Sequence, residues 1–138
     1  MTTNELSVGN WVTNENGFAM FVQAIYDDDT VYLDFEDNEA DTWETDIEDV
    51  HPIPLTEELV QKLGFRFFKG GSYGANYKME TRTDIMHIEK QRSWDHFDLF
   101  GFKKKAGYPF RYALQIKYLH ELQNAFRLIT HQELEVKL

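Results

Sequence analysis

Apolar side chains recur at every second residue in three separate stretches of this chain, and that spacing constrains its fold class more than any other feature. Val31, Leu33 and Phe35 alternate with Tyr32 and Asp34; Met86 and Ile88 alternate with Ile85, His87 and Glu89; Phe97 and Leu99 alternate with Trp94, His96 and Asp98. A period of two sends one set of side chains to each face of a strand. Each stretch therefore predicts a strand with one buried and one wet face, the habit of antiparallel sheets.

Turn residues mark out the rest of the first half. Gly9 precedes Asn10, Trp11 and Val12; Asn14, Glu15, Asn16 and Gly17 form a turn cluster before the apolar residues 18–26; Asp27, Asp28 and Asp29 make a tight polar connection; a further strand is expected at 43–47. Short strands at this spacing predict a small SH3-like β-barrel. A helix should follow. Pro52 and Pro54 hold the chain extended, Thr56 is a good N-cap, Glu57 and Glu58 suit the first turn, and Gly64 follows as the C-terminal glycine of a helix over 56–63.

The second half predicts strands at 65–69, 76–80, 85–89, 97–99 and 110–116. Leu119, Leu122, Phe126 and Ile129 recur at helical spacing over 118–130, and residues 134–138 read as an edge strand. The expected architecture is α+β: an N-terminal barrel (1–53), a short linking helix, and a C-terminal antiparallel sheet packed by one longer helix (54–138), with the two parts able to pack as one compact domain.

Charge divides the chain at the same place. Residues 1–61 hold 16 carboxylates and no Lys or Arg, a formal charge of −16; residues 62–138 hold 14 basic and 8 acidic side chains, a formal charge of +6. The chain has no cysteine, which excludes disulfides, thiolate metal sites and cysteine nucleophiles and fits a reducing cytoplasm. No basic lead or long apolar run points to export or to a membrane span.

Three constellations are candidates for function, and two further motif matches fall short of theirs. The acidic stretch bearing Asp27, Asp28, Asp29, Asp34, Glu36 and Asp37 could meet a basic protein surface. Lys103, Lys104, Lys105 and Arg111 lie among Phe102, Tyr108, Phe110 and Tyr112, an interleaving of cations and aromatics that suits single-stranded nucleic acid. If the two alternating runs pair as a hairpin, His87, Glu89, His96 and Asp98 share its polar face, a ligand set suited to zinc or to acid-base work. Residues 70–74 spell G-x-S-x-G, but a serine nucleophile elbow needs a strand before the serine and a helix after it; a glycine-rich hairpin turn is expected instead. His120 and Glu121 lack the second histidine of H-E-x-x-H, because position 124 is Asn.

Three stretches, Glu5-Leu6-Ser7-Val8-Gly9-Asn10-Trp11-Val12, Ile47-Glu48-Asp49-Val50-His51-Pro52-Ile53-Pro54-Leu55-Thr56-Glu57-Glu58-Leu59 and Tyr118-Leu119-His120-Glu121-Leu122-Gln123-Asn124 with Glu133-Leu134-Glu135-Val136, resemble a family of small proteins common in Bacteroides-type gut bacteria and in their phages and mobile elements. The resemblance covers both ends and the central helix and is loose over 66–112. It implies a bacterial or phage cytoplasmic protein, and it transfers no activity and no catalytic residue. The expectation is a non-enzymatic protein-protein interaction module that uses its acidic surface and needs no cofactor. Nucleic-acid binding through the basic, aromatic half and a metal-dependent enzyme on the His87, Glu89, His96 and Asp98 face stand as the alternatives.

Overall fold

The computed structural model describes residues 1–36, 42–69, 74–105 and 112–138. The protein is of mixed α+β class, and the described residues form two five-stranded antiparallel sheets and two α-helices. It divides into two compact units: residues 1–54 with 118–124, and residues 55–117 with 125–138.

In the first unit, β1 (Trp11–Thr13), β2 (Ala19–Ile25), β3 (Thr30–Asp34), β4 (Trp43–Asp46) and β5 (His51–Pro52) lie in the order β4-β3-β2-β1-β5. The strand expected at 43–47 stops at Asp46, and a 3-10 turn, Ile47–Asp49, carries the chain on to β5. Val12 stands opposite Met20, and Val22 opposite Leu33, so the alternating apolar positions converge on one face. They form a core with Leu6, Val31, Ile47 and Val50. A bulge between Val22 and Ala24 shifts the register, bending the sheet over that core. Asp29, at φ 66°, closes the β2–β3 turn in the left-handed region that Asp tolerates better than most residues.

Helix α2 (Leu119–Thr130) gives its first half to this unit. The Leu119 N–H donates to the Ile53 carbonyl at 2.9 Å, and Glu121 turns back to accept the Tyr118 N–H at 3.1 Å, the capping-box contact. One turn later the helix meets the loop before β1. Gln123, only 5% exposed, accepts the Trp11 N–H through Oε1 and donates Nε2 to the Gly9 carbonyl. Asn124 accepts from Asn10 Nδ2 at 2.9 Å and donates to the Glu5 carbonyl at 3.4 Å. The polar residues of the two stretches satisfy one another.

In the second unit, β6 (Arg66–Phe68), β7 (Ala75–Glu80), β8 (Asp84–Lys90), β9 (Phe97–Lys103) and β10 (Tyr112–Ile116) form a plain meander in that order. Tyr77, Ile88 and Leu99 face one another across β7, β8 and β9, all buried. Helix α1 (Glu57–Lys62) precedes the sheet, with the Thr56 hydroxyl accepting the Leu59 N–H at 3.0 Å as its N-cap. Six residues are too few for a self-supporting helix, so the cap and the full burial of Val60 hold it. The edge strand expected at 134–138 does not form. Helix α2 ends at Thr130, His131 enters the left-handed region at φ 57°, and the chain beyond runs without a ladder partner, although Leu134 and Val136 are buried.

Candidate interaction surface

The first unit presents aromatic side chains on an acidic surface, and a buried asparagine organises them. Asn14 is fully enclosed, and its Oδ1 accepts the N–H groups of Asn16 and Phe18, each at 3.0 Å; its backbone N–H donates to the Phe18 carbonyl at 3.1 Å. This turn leaves Glu15 and Phe18 outside. The Glu15 carboxylate then reaches edge strand β4, where Oε1 accepts the Trp43 indole N–H at 3.0 Å and Oε2 accepts the Thr45 hydroxyl at 3.2 Å. Phe18 meets Phe35 edge to face, with centroids 6.4 Å apart. Phe18, Phe35 and Trp43 remain 56%, 38% and 36% exposed.

Phe35 is a correction to the alternation. Its expected phase matched Val31 and Leu33, but β3 ends at Asp34, which is buried and accepts the Phe35 N–H at 2.8 Å, while the phenyl ring turns out to solvent. Asp34 therefore serves the backbone instead of a partner-facing surface. Asp27, Asp28 and Asp29 on the β2–β3 turn and Glu36 after β3 are exposed; Asp37 lies outside the described residues. Beside that turn Tyr26 packs edge to face on Tyr32 at 5.0 Å. The charge of Glu44, opposite Tyr32 in the register, helps push the Tyr32 phenol above its usual pKa. The aromatic half of this surface escaped the sequence reading, since nothing in the spacing separates an outward Phe18 from a core one.

The structure separates His87 from His96. Glu89 and Asp98 are register partners across β8 and β9, and Phe100 stands opposite His87. The His87 ring lies 5.0 Å from Phe68 and 5.7 Å from Phe100, with Nε2 3.1 Å from Asn76 Oδ1. His96 precedes β9, stacks on Trp94 at 4.9 Å, and holds its two ring nitrogens 3.3 Å from Asp95 and 3.4 Å from Asp98. Among the described residues no group of three or more His, Asp or Glu side chains is placed to hold a metal ion.

The lysine run is divided too. Lys103 ends β9 opposite Asp84, with Nζ 2.6 Å from Asp84 Oδ1, and it also donates to the Ile129 carbonyl at the end of α2. Asp84 is fully enclosed, and Thr83 donates to its Oδ2 at 2.6 Å. Burial pushes this carboxyl up, but the bonds from Lys103 and Thr83 and the charges of Lys103 and His131 hold it below the ordinary carboxylate pKa. Lys104 pairs with Glu80 at 3.3 Å, Lys105 is exposed, and Arg111 lies outside the described residues, as do Gly70, Gly71, Ser72 and Tyr73 of the G-x-S-x-G match. His120 is 4% exposed and stacks on Tyr118, and burial lowers its pKa.

No helix of the described residues is long and apolar enough to cross a membrane. Comparison with protein-family models, with curated proteins and with solved structures returned no significant match.

Proposed function

We propose that this protein is a non-enzymatic interaction module of bacterial or phage origin, acting in the cytoplasm, whose first unit binds a protein with a basic surface. The observation that carries the reading is the placement of Phe18, Phe35 and Trp43, exposed and oriented by Asn14 and Glu15, within a stretch that holds 16 carboxylates and no Lys or Arg. Exposed aromatic side chains supply contact area at low entropic cost, and carboxylates attract a cationic partner and reject an anionic one. The strand order β4-β3-β2-β1-β5 with a 3-10 turn before β5 supports an SH3-like barrel as the scaffold. Lys103 and Lys104 are held by Asp84 and Glu80, which favours a protein partner over nucleic acid.

Affinity capture from bacterial lysate tests the reading. A specific partner should be retained at low salt and released near 1 M, where the Debye length falls to about 3 Å. Phe18→Ala with Trp43→Ala should abolish capture while leaving the circular dichroism spectrum unchanged. Capture that ignores both salt and these substitutions would sink the proposal.

A further inference from the structure

A cleft of about 780 Å³ in the second unit lies where β7 begins and β8 ends, lined by Gly74, Lys90, Gln91, Arg92 and Ser93, with Glu57 on its wall. Lys78, Lys103, Lys104, Lys117, Arg127 and Lys137 each stand within 4 Å of a carboxylate. Among the described residues Lys90 and Arg92 have no such partner, and neither do Lys62, Arg66, Lys69, Arg82 and Lys105; Lys90 and Arg92 differ in lining one cleft together. Lys90 is half-buried, and its ammonium donates to the carbonyl of neighbouring Gln91 at 3.3 Å. A partly desolvated ammonium with only a neutral acceptor is a site short of one anion.

The acid in the cleft is already occupied. Glu57 accepts the Tyr77 hydroxyl at 2.9 Å, and burial, with Glu57 beside it, raises the Tyr77 pKa so that the phenol keeps the proton it donates. The wall near Gly74 is bare backbone. A Cβ at Gly74 would stand 2.5 Å from the Lys90 carbonyl oxygen, so this position admits no side chain.

We propose that this cleft binds the phosphate group of a small phosphorylated molecule. Lys90 supplies a point charge, Arg92 a planar pair of donors and Ser93 a hydroxyl donor, three groups suited to a tetrahedral dianion. The volume exceeds that of a phosphate ion and lies in the range of sites that hold a ligand of nucleotide size. An acidic protein has no general attraction for phosphate, so binding here has to come from these local groups.

The test is an NMR titration of the full chain with inorganic phosphate, a nucleoside monophosphate and a sugar phosphate, run separately. Saturable shifts confined to residues 74–75 and 90–93 are expected with at least one ester, and the ester that binds identifies the organic part. Lys90→Gln with Arg92→Gln should weaken binding at least about tenfold, as expected for loss of charge-assisted bonds. Arg82→Gln, a cation outside the cleft, should leave it unchanged. Each single variant is also measured, so that the comparison survives if the pair fails to fold. The absence of saturation by about 10 mM, some 2.7 kcal/mol of binding, overturns the proposal. So does equal weakening by Arg82→Gln, or binding of inorganic phosphate with both esters inert.

Discussion

Gln123 accepts the backbone N–H of Trp11 at 2.8 Å and, from the other end of the same side-chain amide, donates to the Gly9 carbonyl at 3.0 Å. A glutamine on a helix thus takes the place of a neighbouring strand for the loop that leads into β1. Gln123→Leu keeps the volume and deletes both bonds, leaving two backbone groups without partners beside a side chain that is 5% exposed. The expected loss is about 2–4 kcal/mol, from roughly 1–3 kcal/mol for each buried group left unsatisfied. Urea denaturation would show it as a lower midpoint at unchanged slope.

Asp84, fully enclosed, pairs with the partly exposed Lys103 at the end of β9, with Nζ 2.6 Å from Oδ1. Lys103→Met strands the carboxylate, and a loss of about 3–5 kcal/mol is expected. Adding Asp84→Asn should recover much of it, because the uncompensated charge is then gone. A double-mutant cycle by chemical denaturation measures the coupling.

The same carboxylate gives an acid limb to stability. Its folded pKa is depressed, so its contribution is complete above the unfolded value of about 3.9 and disappears as pH falls through the folded value. Asp84→Asn should flatten stability against pH below about 4 relative to the parent. An unchanged acid limb would remove Asp84 from this role.

His120 acts in a higher pH window. Burial, the largest influence, lowers its folded pKa despite the opposing charges of Glu121 and Glu5, and Nδ1 has no hydrogen-bond partner among the described residues. The folded state therefore prefers the neutral ring. Its stabilisation is full above the unfolded value of about 6.5 and declines as pH falls below it. Urea midpoints at pH 7.5 and pH 5.5 should fall in the parent protein and differ less in His120→Gln.

Gly74→Ala should destabilise by about 1–3 kcal/mol, the range for a strained backbone position. Gly74 sits at φ 127°, and its added Cβ would meet the Lys90 carbonyl oxygen at 2.5 Å. Thermal unfolding followed by circular dichroism would report the loss, and a variant as stable as the parent would contradict the close approach.

The sequence revealed elements better than contacts. Thr56, Glu57, Glu58 and Gly64 located α1 because capping chemistry is local, and Met86, Ile88, Phe97 and Leu99 revealed the central hairpin because alternation survives in a strand with one buried face. The Asp84–Lys103 pair was within reach, since extending the Ile88–Leu99 register by four residues at each end places them opposite one another. The bonds of Gln123 and Asn124 to residues more than 110 positions away carry no periodic signal, and neither does the outward turn of Phe35. Of the candidate acids, Asp34 is set apart by its burial and by a backbone contact one residue away, neither of which leaves a periodic signal.

The first unit is discontinuous, with residues 118–124 completing a unit whose strands all lie before residue 54. During synthesis a ribosome therefore releases the whole acidic sheet before the helix that satisfies its Gly9–Trp11 loop exists. At about 5–20 residues per second the wait lasts several seconds. Over that interval the sheet is available to the solvent and to chaperones, and the unit closes only once Gln123 has left the exit tunnel.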